Sequence, residues 1–357
     1  MNSTTKNIGF QGQNFYIGLD VHKKNWSVTI RTQNTQIKTF SMNPSPTELI
    51  QHLQKNYPGG TYHSVYEAGF CGFWIHRELE FLGIHNIVIH PGDVPTTEKE
   101  KRTKTDPVDS SKLARELSSG SLEAIYVPNK SHDSFRSLVR LRHKLVRQQS
   151  RVKNRIKSYL YYLGIQWPKE MDTSNWSNRF VTWLENISFE YLPSKEYMTF
   201  CLQDLKYTQQ QIQKIQDQIK KYIQKEPLNS IIKEQLMSVP GVGFTTAVTL
   251  YAELIDIHRF SSFDKLAAFV GFVPNTHSSG EKEKTTGITH RQNRYLRHYL
   301  IEAAWIAIKK DPALLLAFGQ LKRHMTSQEA IVRIAKKLLN RIRHVWKNKK
   351  SYVEAVA

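Results

Sequence analysis

The stretch FYIGLDVHKKNWSVTIR, residues 15–31, decides the fold of the first part of the chain. Residues 15–20 read as a β-strand that ends in Asp20, residues 21–25 read as a turn, and residues 26–31 alternate as a second strand. Strand and helix patterns then alternate up to residue 120. Since this alternation is typical of sheets covered by helices, we predict an α/β domain with a mixed sheet.

The later elements of this domain follow from periodicity and from breakers. We predict helices and strands at these residues: strands 37–41, 63–67 and 86–90, and helices 44–57 and 73–82. A further helix starts near Asp106, which we predict as its N-cap, with Pro107 at the first helical position. It ends at Ser118-Ser-Gly120.

Composition limits the class of protein. The chain has 357 residues, a formal net charge of +20 and a pI of about 9.7. A balance this basic favours a polyanionic partner, although solubility alone is the alternative. Cys71 and Cys201 lack metal-ligand spacing, which excludes a disulfide scaffold and a zinc ribbon and suits a reducing cytosol. We expect no secretory signal and no membrane span, because no apolar stretch has the required length.

The charge is concentrated in a second region that starts near Ser134. Apolar residues recur there at three- and four-residue steps, and no acid occurs between Ser134 and Lys169. A long helix with a cationic flank suits a phosphate backbone, so we expect nucleic-acid contacts here. The residues expected to make them are Arg140, Lys144, Arg147, Arg151 and Arg155.

A second apolar seam runs from Met198 to Tyr222. We predict that the two helices form an antiparallel coiled coil, or that they pair with another copy of the chain. Residues 167–193 between them are predicted to be an irregular connection.

The third region is predicted to be mainly helical and to begin near Leu236. Residues 238–247 read as a glycine-punctuated turn that opens a helix, and they resemble the hairpin of helix-hairpin-helix proteins. Gly241 and Gly243 would let backbone amides approach a phosphate, whereas the alternative is a tight turn between packed helices. Residues 274–287 are predicted to be a loop, and residues 292–309 and 328–346 to be amphipathic helices.

Four acids in this basic chain suggest a metal site. Asp20 and Glu67 end two predicted strands, and Asp106 and Asp109 lie three residues apart at a helix start. Clustered carboxylates are the ligands that two-metal phosphoryl chemistry needs. Each acid also has a simpler explanation, as a helix cap, as a partner of the helix dipole or as a strand-end charge. Together they resemble the ribonuclease-H-like core of RuvC-type nucleases.

Five motifs in order resemble one family, the DEDD-type transposases of a class of bacterial insertion sequences, understood as bridge-RNA-guided serine recombinases. The motifs are Tyr16-Ile-Gly-Leu-Asp-Val-His-Lys23, Tyr66-Glu-Ala-Gly69, Lys104-Thr-Asp-Pro-Val-Asp109, Val239-Pro-Gly-Val-Gly243, and the stretch from Phe260 that includes Pro274-Asn-Thr-His-Ser-Ser-Gly280. The resemblance extends over more than two hundred residues. One departure is Gln292, which stands where the family usually has glycine.

The resemblance implies a composite active site. Asp20, Glu67, Asp106 and Asp109 would bind Mg²⁺, and Ser279 would attack a DNA phosphodiester to form a phosphoserine. Ser278 is the alternative nucleophile. Lys282 and Lys284 would stabilise phosphate charge, and Arg297 would contact nucleic acid.

The resemblance also implies partners and a location. The partners are double-stranded donor and target DNA, a structured guide RNA encoded by the element, and further copies of the chain in a dimer or tetramer. The expected location is the bacterial cytoplasm, in association with the nucleoid. We expect the composite site to form between chains.

The expected domains are a RuvC-like domain (1–128), a basic coiled coil (129–230) and a transposase domain (231–357). Two other functions stay open. One is a metal-only junction nuclease in which the serine loop is structural, and the other is a nucleic-acid-binding protein without catalysis.

Overall fold

A mixed β-sheet organises the first of the two compact units into which the chain divides, Met1–Val127 and Pro128–Ala357. The computed structural model describes residues 9–97, 105–171, 176–224, 227–279, 282–289 and 291–352, with the backbone alone at 169, 275–279 and 282–286. The strands of the sheet are β1 (Asn14–Val21), β2 (Trp26–Arg31), β3 (Gln36–Met42), β4 (Thr61–Glu67) and β5 (His85–Ile89).

The strand order across this sheet is β3-β2-β1-β4-β5. β1 pairs antiparallel with β2 and parallel with β4, while β3 pairs antiparallel with β2 and β5 pairs parallel with β4. The predicted mixed α/β sheet is therefore confirmed. Because β1 and β4 run in the same direction, their carboxyl ends meet at one edge of the sheet.

Helices cover both faces of this sheet: α1 (Pro46–Asn56), α2 (Trp74–Phe81) and α3 (Asp106–Ser119). Ile17 and Leu19 of β1 share a buried cluster with residues of α1 and α2. Val65 of β4 belongs to a second cluster, together with Leu113 of α3. Since successive side chains of a strand point to opposite faces, α1 and α2 lie on one face of the sheet and α3 on the other.

The start of α3 corrects one prediction. Thr105, not Asp106, is the N-cap, because Thr105 has extended backbone and its carbonyl oxygen accepts hydrogen bonds from the amides of Val108 and Asp109. Asp106 is the first helical residue and its carboxylate is not used in a cap. The helix ends as predicted at Gly120, whose φ of 71° is left-handed.

Two long helices dominate the first part of the second unit, α4 (Lys130–Tyr162) and α6 (Leu192–Ile223). They are antiparallel, since Ser131 meets Tyr222 at one end, with 3.0 Å between their hydroxyl oxygens, and Tyr159 meets Tyr197 at the other. Their shared seam is buried and contains Val152, Ile156, Leu160, Leu202 and Leu205. The pairing therefore occurs within one chain.

The connection between these helices was predicted to be irregular, and this prediction is wrong in part. It contains α5 (Asn178–Glu185), which begins after Ser177, whose hydroxyl accepts a hydrogen bond from the amide of Phe180. Phe180 and Leu184 lie four residues apart on one side of α5 and are buried in the α4–α6 seam. Burial of this short apolar side explains why the segment is helical.

The remaining helices form one core together with the start of α4: α7 (Phe244–Leu254), α8 (Phe263–Val270), α9 (Arg294–Lys310), α10 (Pro312–Lys322) and α11 (Ser327–Asn348). α9 and α11 were predicted to within about two residues, whereas α10 was not predicted. Asp311 caps α10, since its carboxylate accepts a hydrogen bond from the amide of Leu314. None of the described helices combines the length and the apolar composition that a bilayer crossing needs.

Residues 274–287, predicted as a loop, form most of a two-stranded antiparallel ribbon of β6 (Pro274–Ser279) and β7 (Lys282–Ile288). Thr276 is paired with Thr285, and Ser279 with Lys282. The prediction was wrong because polar residues and glycines resemble a loop in sequence, while strand pairing satisfies the backbone amides regardless of side-chain polarity.

Candidate metal centre and nucleic-acid surfaces

The first two acids of the predicted metal site lie at the carboxyl ends of adjacent parallel strands. Leu19 of β1 is paired with Tyr66 of β4, and Asp20 and Glu67 are the next residues of their strands. Alternation turns Asp20 to the same face as Gly18, and Glu67 to the same face as Val65. Both are on the face that α3 covers. The register thus places the two residues side by side at one edge of the sheet, and the role of Glu67 as a metal ligand stays a prediction.

Helix α3 lies unusually close to β1 because Gly18 has no side chain. A β-carbon on Gly18 would overlap the carbonyl oxygen of Ser110 and would lie 2.5 Å from the backbone nitrogen of Ala114. Only glycine allows this approach of helix and strand backbones. The close contact sets the distance between the first turn of α3 and the end of β1.

A buried group of hydroxyls fixes the position of α3 along the sheet. The Oγ of Ser110 lies 2.9 Å from the Oγ1 of Thr29 and 3.1 Å from the Oγ of Ser27, both on β2. In the register of the sheet, Thr29 is opposite Gly18 and Ser27 is opposite Asp20. Ser110 therefore anchors the helix one residue after Asp109, beside the strand positions that lead to the acids.

The other two acids occupy the first turn of α3. Asp106 is half exposed, and an Oδ1 oxygen of Asp109 lies 3.1 Å from the buried ammonium of Lys112. Asp109 is close enough to Asp20 to influence its ionisation, as is Asp106. α3 therefore places both acids beside the end of β1.

His22 completes this cluster and was not identified as a site residue from the sequence. Its Nε2 lies 3.2 Å from an Oδ2 oxygen of Asp20 and 3.5 Å from an Oδ1 oxygen of Asp106. One ligand atom from each of the three residues lies within 4.8 Å of the others. The sequence does contain a signal that could have identified His22. It follows the strand-end Asp20 by two positions, and imidazole is a common metal ligand.

The electrostatics of this cluster fit a cation. Burial raises the pKa of the Asp20 carboxyl, His22 lowers it, and the negative charges of Asp106 and Asp109 raise it further. A divalent ion would relieve the repulsion among the carboxylates. Asp20, His22 and Asp106 supply convergent oxygen and nitrogen donors, so the residues present fit such an ion.

The predicted serine nucleophile lies in the second unit, on the ribbon. Ser278 and Ser279 are the last two residues of β6, opposite Glu283 and Lys282 of β7. Their side chains, and those of Lys282 and Lys284, lie outside the described residues, as do Gly280 and Lys104. Ser279 as nucleophile, with Ser278 as the alternative, thus stays a prediction.

Most of the cations predicted on the flank of α4 are exposed on one side of the helix. Lys144, Arg147, Arg151 and Arg155 are exposed and follow one another at steps of three and four residues, which places them along one side of the helix. Arg155 has an exposed partner in Asp204, at 3.5 Å. This side of α4 presents the predicted row of cations, and its contact with a phosphate backbone stays a prediction.

Two arginines assigned to nucleic-acid binding have structural roles instead. Arg140 donates two hydrogen bonds, of 2.6 and 2.7 Å, to the carboxylate of Glu253, which is buried. Arg297 donates to the carbonyl oxygens of Gly271 and Thr289. Their guanidinium groups are already used within the protein, so we correct both assignments.

The glycines of residues 239–243 also differ in role. Gly241 has a φ of 86°, and a β-carbon there would overlap the carbonyl oxygen of Ala303 in α9. Gly241 therefore serves the close packing of a turn on a helix, which corrects its assignment to phosphate binding. Gly243 is exposed, caps α7 and has no atom within 4 Å of a β-carbon placed on it. Gly243 stays a candidate for a phosphate contact.

The turn before α9 is well defined although Gln292 replaces the glycine usual in the resembled family. The Asn293 carboxamide oxygen accepts hydrogen bonds from the amides of Tyr295 and Leu296, and its nitrogen donates to Glu253. The same buried carboxylate thus joins α4, α7 and the start of α9.

Comparison with known proteins agrees with this arrangement. Residues 17–163 match a transposase family model of the DEDD type named for IS110, and residues 233–319 match the model of the transposase IS116/IS110/IS902 family. The first match begins within β1 and covers the rest of the sheet, α3 and all four acids. The mixed sheet is consistent with an RNase H-like DEDD domain.

Individual relatives extend the similarity over most of the chain. The protein y4qE of Sinorhizobium fredii, named as a transposase, is 27% identical over 294 residues, which are 81% of this chain and 71% of the relative. The transposase for insertion sequence element IS1111A of Coxiella burnetii is 29% identical over 67% of this chain and 64% of its own length. The transposase for IS1533 of Leptospira borgpetersenii is 25% identical over 81% of this chain and 84% of its own.

Proposed function

We propose that this chain, which carries the domains of IS110/IS116 transposases, is the transposase of a bacterial insertion sequence and cuts and rejoins DNA with a divalent metal ion. The observation that carries the proposal is the convergence of Asp20, Asp106 and His22 in the region that matches the DEDD model. Asp109 is close enough to influence the pKa of Asp20, and Glu67 ends the neighbouring strand. The metal is expected to be Mg²⁺, held by the four acids.

The bound ion would supply charge stabilisation to the phosphate under attack. The protein's own residues do the rest. Asp20 and Glu67 project from the ends of a rigid sheet, and Asp106 and Asp109 from a helix held against it by Gly18 and Ser110. Sites built on such elements keep their geometry with little reorganisation, which favours phosphoryl transfer.

Ser279 is the proposed nucleophile of strand exchange. Its Oγ attacks the phosphorus of a DNA phosphodiester and loses its proton to a base. The bond from phosphorus to the 3′ oxygen breaks, and that oxygen takes up a proton to become a free 3′-hydroxyl. The 5′ end stays attached as a phosphoserine until the 3′-hydroxyl of another strand displaces the serine. The support is the order of the family motifs and the place of Ser279 at the end of β6.

The proposed DNA- and RNA-binding surface includes the exposed side of α4. Lys144, Arg147 and Arg151 face solvent in a segment without acids, so they suit the backbone of donor or target DNA or of a guide RNA. Strand exchange needs several active sites, and an assembly of two or four copies would provide them.

A metal-only nuclease is the second candidate. It is favoured by the metal-ligand geometry at Asp20, His22 and Asp106, since an ion held there would activate water for hydrolysis without a covalent step. In that case the serines of β6 would be structural.

Trapping of the covalent intermediate separates the two candidates. Purified protein is incubated with Mg²⁺, the element's RNA and labelled donor and target DNA, and the products are separated on a denaturing gel. We expect a protein–DNA adduct for the wild type and for Ser278→Ala, and none for Ser279→Ala or Asp20→Ala. Cleavage without an adduct, still dependent on Asp20, would establish the metal-only nuclease. An adduct that persists in Ser279→Ala but not in Ser278→Ala would move the nucleophile by one residue.

A further inference from the structure

Exposed aromatic side chains lie on one side of the α4–α6 pair, near the end where α4 finishes. Tyr162 of α4 is 81% exposed, and Phe200 of α6 is 68% exposed. Tyr207, two turns along α6 from Phe200, is also exposed. A soluble protein rarely leaves a large contiguous apolar surface exposed unless that surface binds a partner or a ligand.

Ring contacts and an ion pair join α4 and α6 on this side of the pair, and helical spacing adds Phe200 to it. The ring of Tyr159 lies 4.1 Å from that of Tyr197 and is nearly parallel to that of Tyr162 at 6.5 Å. Arg155 pairs with Asp204 across the two helices. Phe200 lies three residues after Tyr197 and four before Asp204, which places it on the same side of α6.

The pairing of the two helices does not require this surface. Val152, Ile156 and Leu160 of α4 are buried against Leu202 and Leu205 of α6, and they form the seam that joins the helices. Tyr162 and Phe200 lie outside that buried group. Their apolar area faces solvent rather than the core, so it is available to a ligand.

Positive charge continues directly into the aromatic surface. Arg151 and Arg155 precede Tyr162 by eleven and seven residues, and Lys144 precedes it by eighteen, so all of them lie on the same side of α4. Eighteen residues are five helical turns, or about 27 Å. An extended single strand of several nucleotides spans this length, and each nucleotide carries one phosphate and one base.

Resting on the nucleic-acid surface proposed above for α4, we propose that an adjoining face binds a single-stranded polynucleotide whose unpaired bases stack on the exposed rings. This aromatic-arginine face consists of Arg151, Arg155, Tyr162, Tyr197, Phe200 and Tyr207. A duplex offers phosphates but keeps its bases stacked on one another, whereas a single strand offers both phosphates and free base faces. No proposed catalytic residue belongs to this face.

A second copy of the chain fits this face less well. If the same face of a second copy packed against it, Arg151 and Arg155 would meet positive charges. α4 carries no acid between residues 134 and 162 to balance them. α6 adds Glu196 and Asp204 to this side, and Asp204 pairs with Arg155. Lys144, Arg147, Arg151 and Arg155 on this side of α4 outnumber these two acids, so the charge of this side favours a polyanion.

Fluorescence anisotropy with labelled 12-mers of deoxythymidine and of uridine, and with a 12-base-pair duplex, tests the proposal on the full chain. We expect Tyr162→Ala and Phe200→Ala each to weaken binding of single strands about tenfold, the scale of one base–aromatic stack, and to leave duplex binding unchanged. Tyr162→Phe keeps the ring and should bind as the wild type does. Arg151→Gln should weaken binding of all three probes.

Phe81→Ala is the matched control, since Phe81 is 83% exposed on α2 in the other unit and should not affect binding. The tighter of the two single-stranded probes identifies DNA or RNA as the source of the bases. Equal losses for single strands and duplex, or no loss in either alanine variant, would overturn the proposal. So would a shift of the alanine variants from dimer to monomer in sedimentation with unchanged oligonucleotide binding, because it would show that a second copy covers the face.

Discussion

Gly18 of β1 and Ser110 of α3 are in backbone contact, and a single methyl group on Gly18 would overlap the Ser110 carbonyl oxygen. Both residues lie within four positions of a proposed metal-binding acid, Gly18 before Asp20 and Ser110 after Asp106 and Asp109. The contact therefore couples the packing of the first unit to the geometry of its candidate metal centre.

Gly18→Ala should abolish metal-dependent DNA cleavage while the protein still folds. The methyl group forces α3 away from β1, and overpacking of this kind costs about 1–3 kcal/mol. Because Asp106 and Asp109 move with α3, metal affinity should fall more than stability does. Calorimetric titration with Mn²⁺ and thermal unfolding measure the two effects. Gly69→Ala is the control, as a β-carbon there would make only an ordinary contact, 3.9 Å from the carbonyl oxygen of Glu67, and an equal loss of metal binding in Gly69→Ala would refute the explanation.

Arg140 and Lys144 are one turn apart on α4 and should respond differently to removal. Arg140→Ala leaves the buried Glu253 carboxylate without its main partner and should cost about 2–3 kcal/mol of unfolding free energy. Lys144→Ala removes an exposed side chain and should change stability by less than about 0.5 kcal/mol. Urea denaturation measures both values.

In DNA binding, Lys144→Ala should have the larger effect and Arg140→Ala the smaller one. Loss of one phosphate contact should reduce the slope of log K against log salt concentration by about 0.9 in Lys144→Ala. In Arg140→Ala the slope should stay as in the wild type at temperatures where the variant is folded. A reduced slope in Arg140→Ala would restore Arg140 to the DNA-binding surface, where the sequence alone had placed it.

His132 should make the stability of the protein depend on pH. Its Nε2 lies 3.0 Å from the carbonyl oxygen of Ala252, and burial lowers its pKa. The charges that face it are Arg136, which lowers the pKa further, and Asp133 and Glu253, which raise it. The neutral ring is favoured in the folded state, so its stabilising contribution is complete above the unfolded pKa of about 6.5 and is lost as pH falls below it.

His132→Gln keeps a donor at the same place and removes the titration. The melting temperature of the wild type should exceed that of the variant by more at pH 7.5 than at pH 5.5. A difference in melting temperature that is constant over this range would contradict the assignment, and each kcal/mol of change corresponds to about 2–4 °C in a unit of this size.

Local patterns were sufficient to predict much of the first unit. The alternation in residues 15–31 predicted β1 and β2, and the Thr-Asp-Pro segment predicted the start of α3 to within one residue. The positions of Asp20 and Glu67 at one edge of the sheet followed from the sheet type, because ends of parallel strands meet there.

Other features depended on distant residues and had no local signal. Arg140 reads as an exposed cation until Glu253, 113 residues away, is placed beside it. Gly241 reads as a phosphate-binding glycine until α9 is placed against it. His22 belongs to a turn, where no periodicity indicates the direction of a side chain, and its meeting with Asp106 depends on how α3 docks.

His22 should contribute directly to metal affinity, because its Nε2 lies within reach of the same ion as Asp20 and Asp106. We expect His22→Ala to weaken the binding of Mn²⁺ to the DNA-free protein about tenfold, the lower end of the effect of losing a metal-site partner. Electron paramagnetic resonance of free Mn²⁺ measures this without any cleavage assay. His85→Ala, at the opposite end of the parallel strands, is the control and should bind as the wild type does. If His22→Ala instead bound Mn²⁺ more tightly, His22 would be a competitor of the metal for the carboxylates rather than one of its ligands.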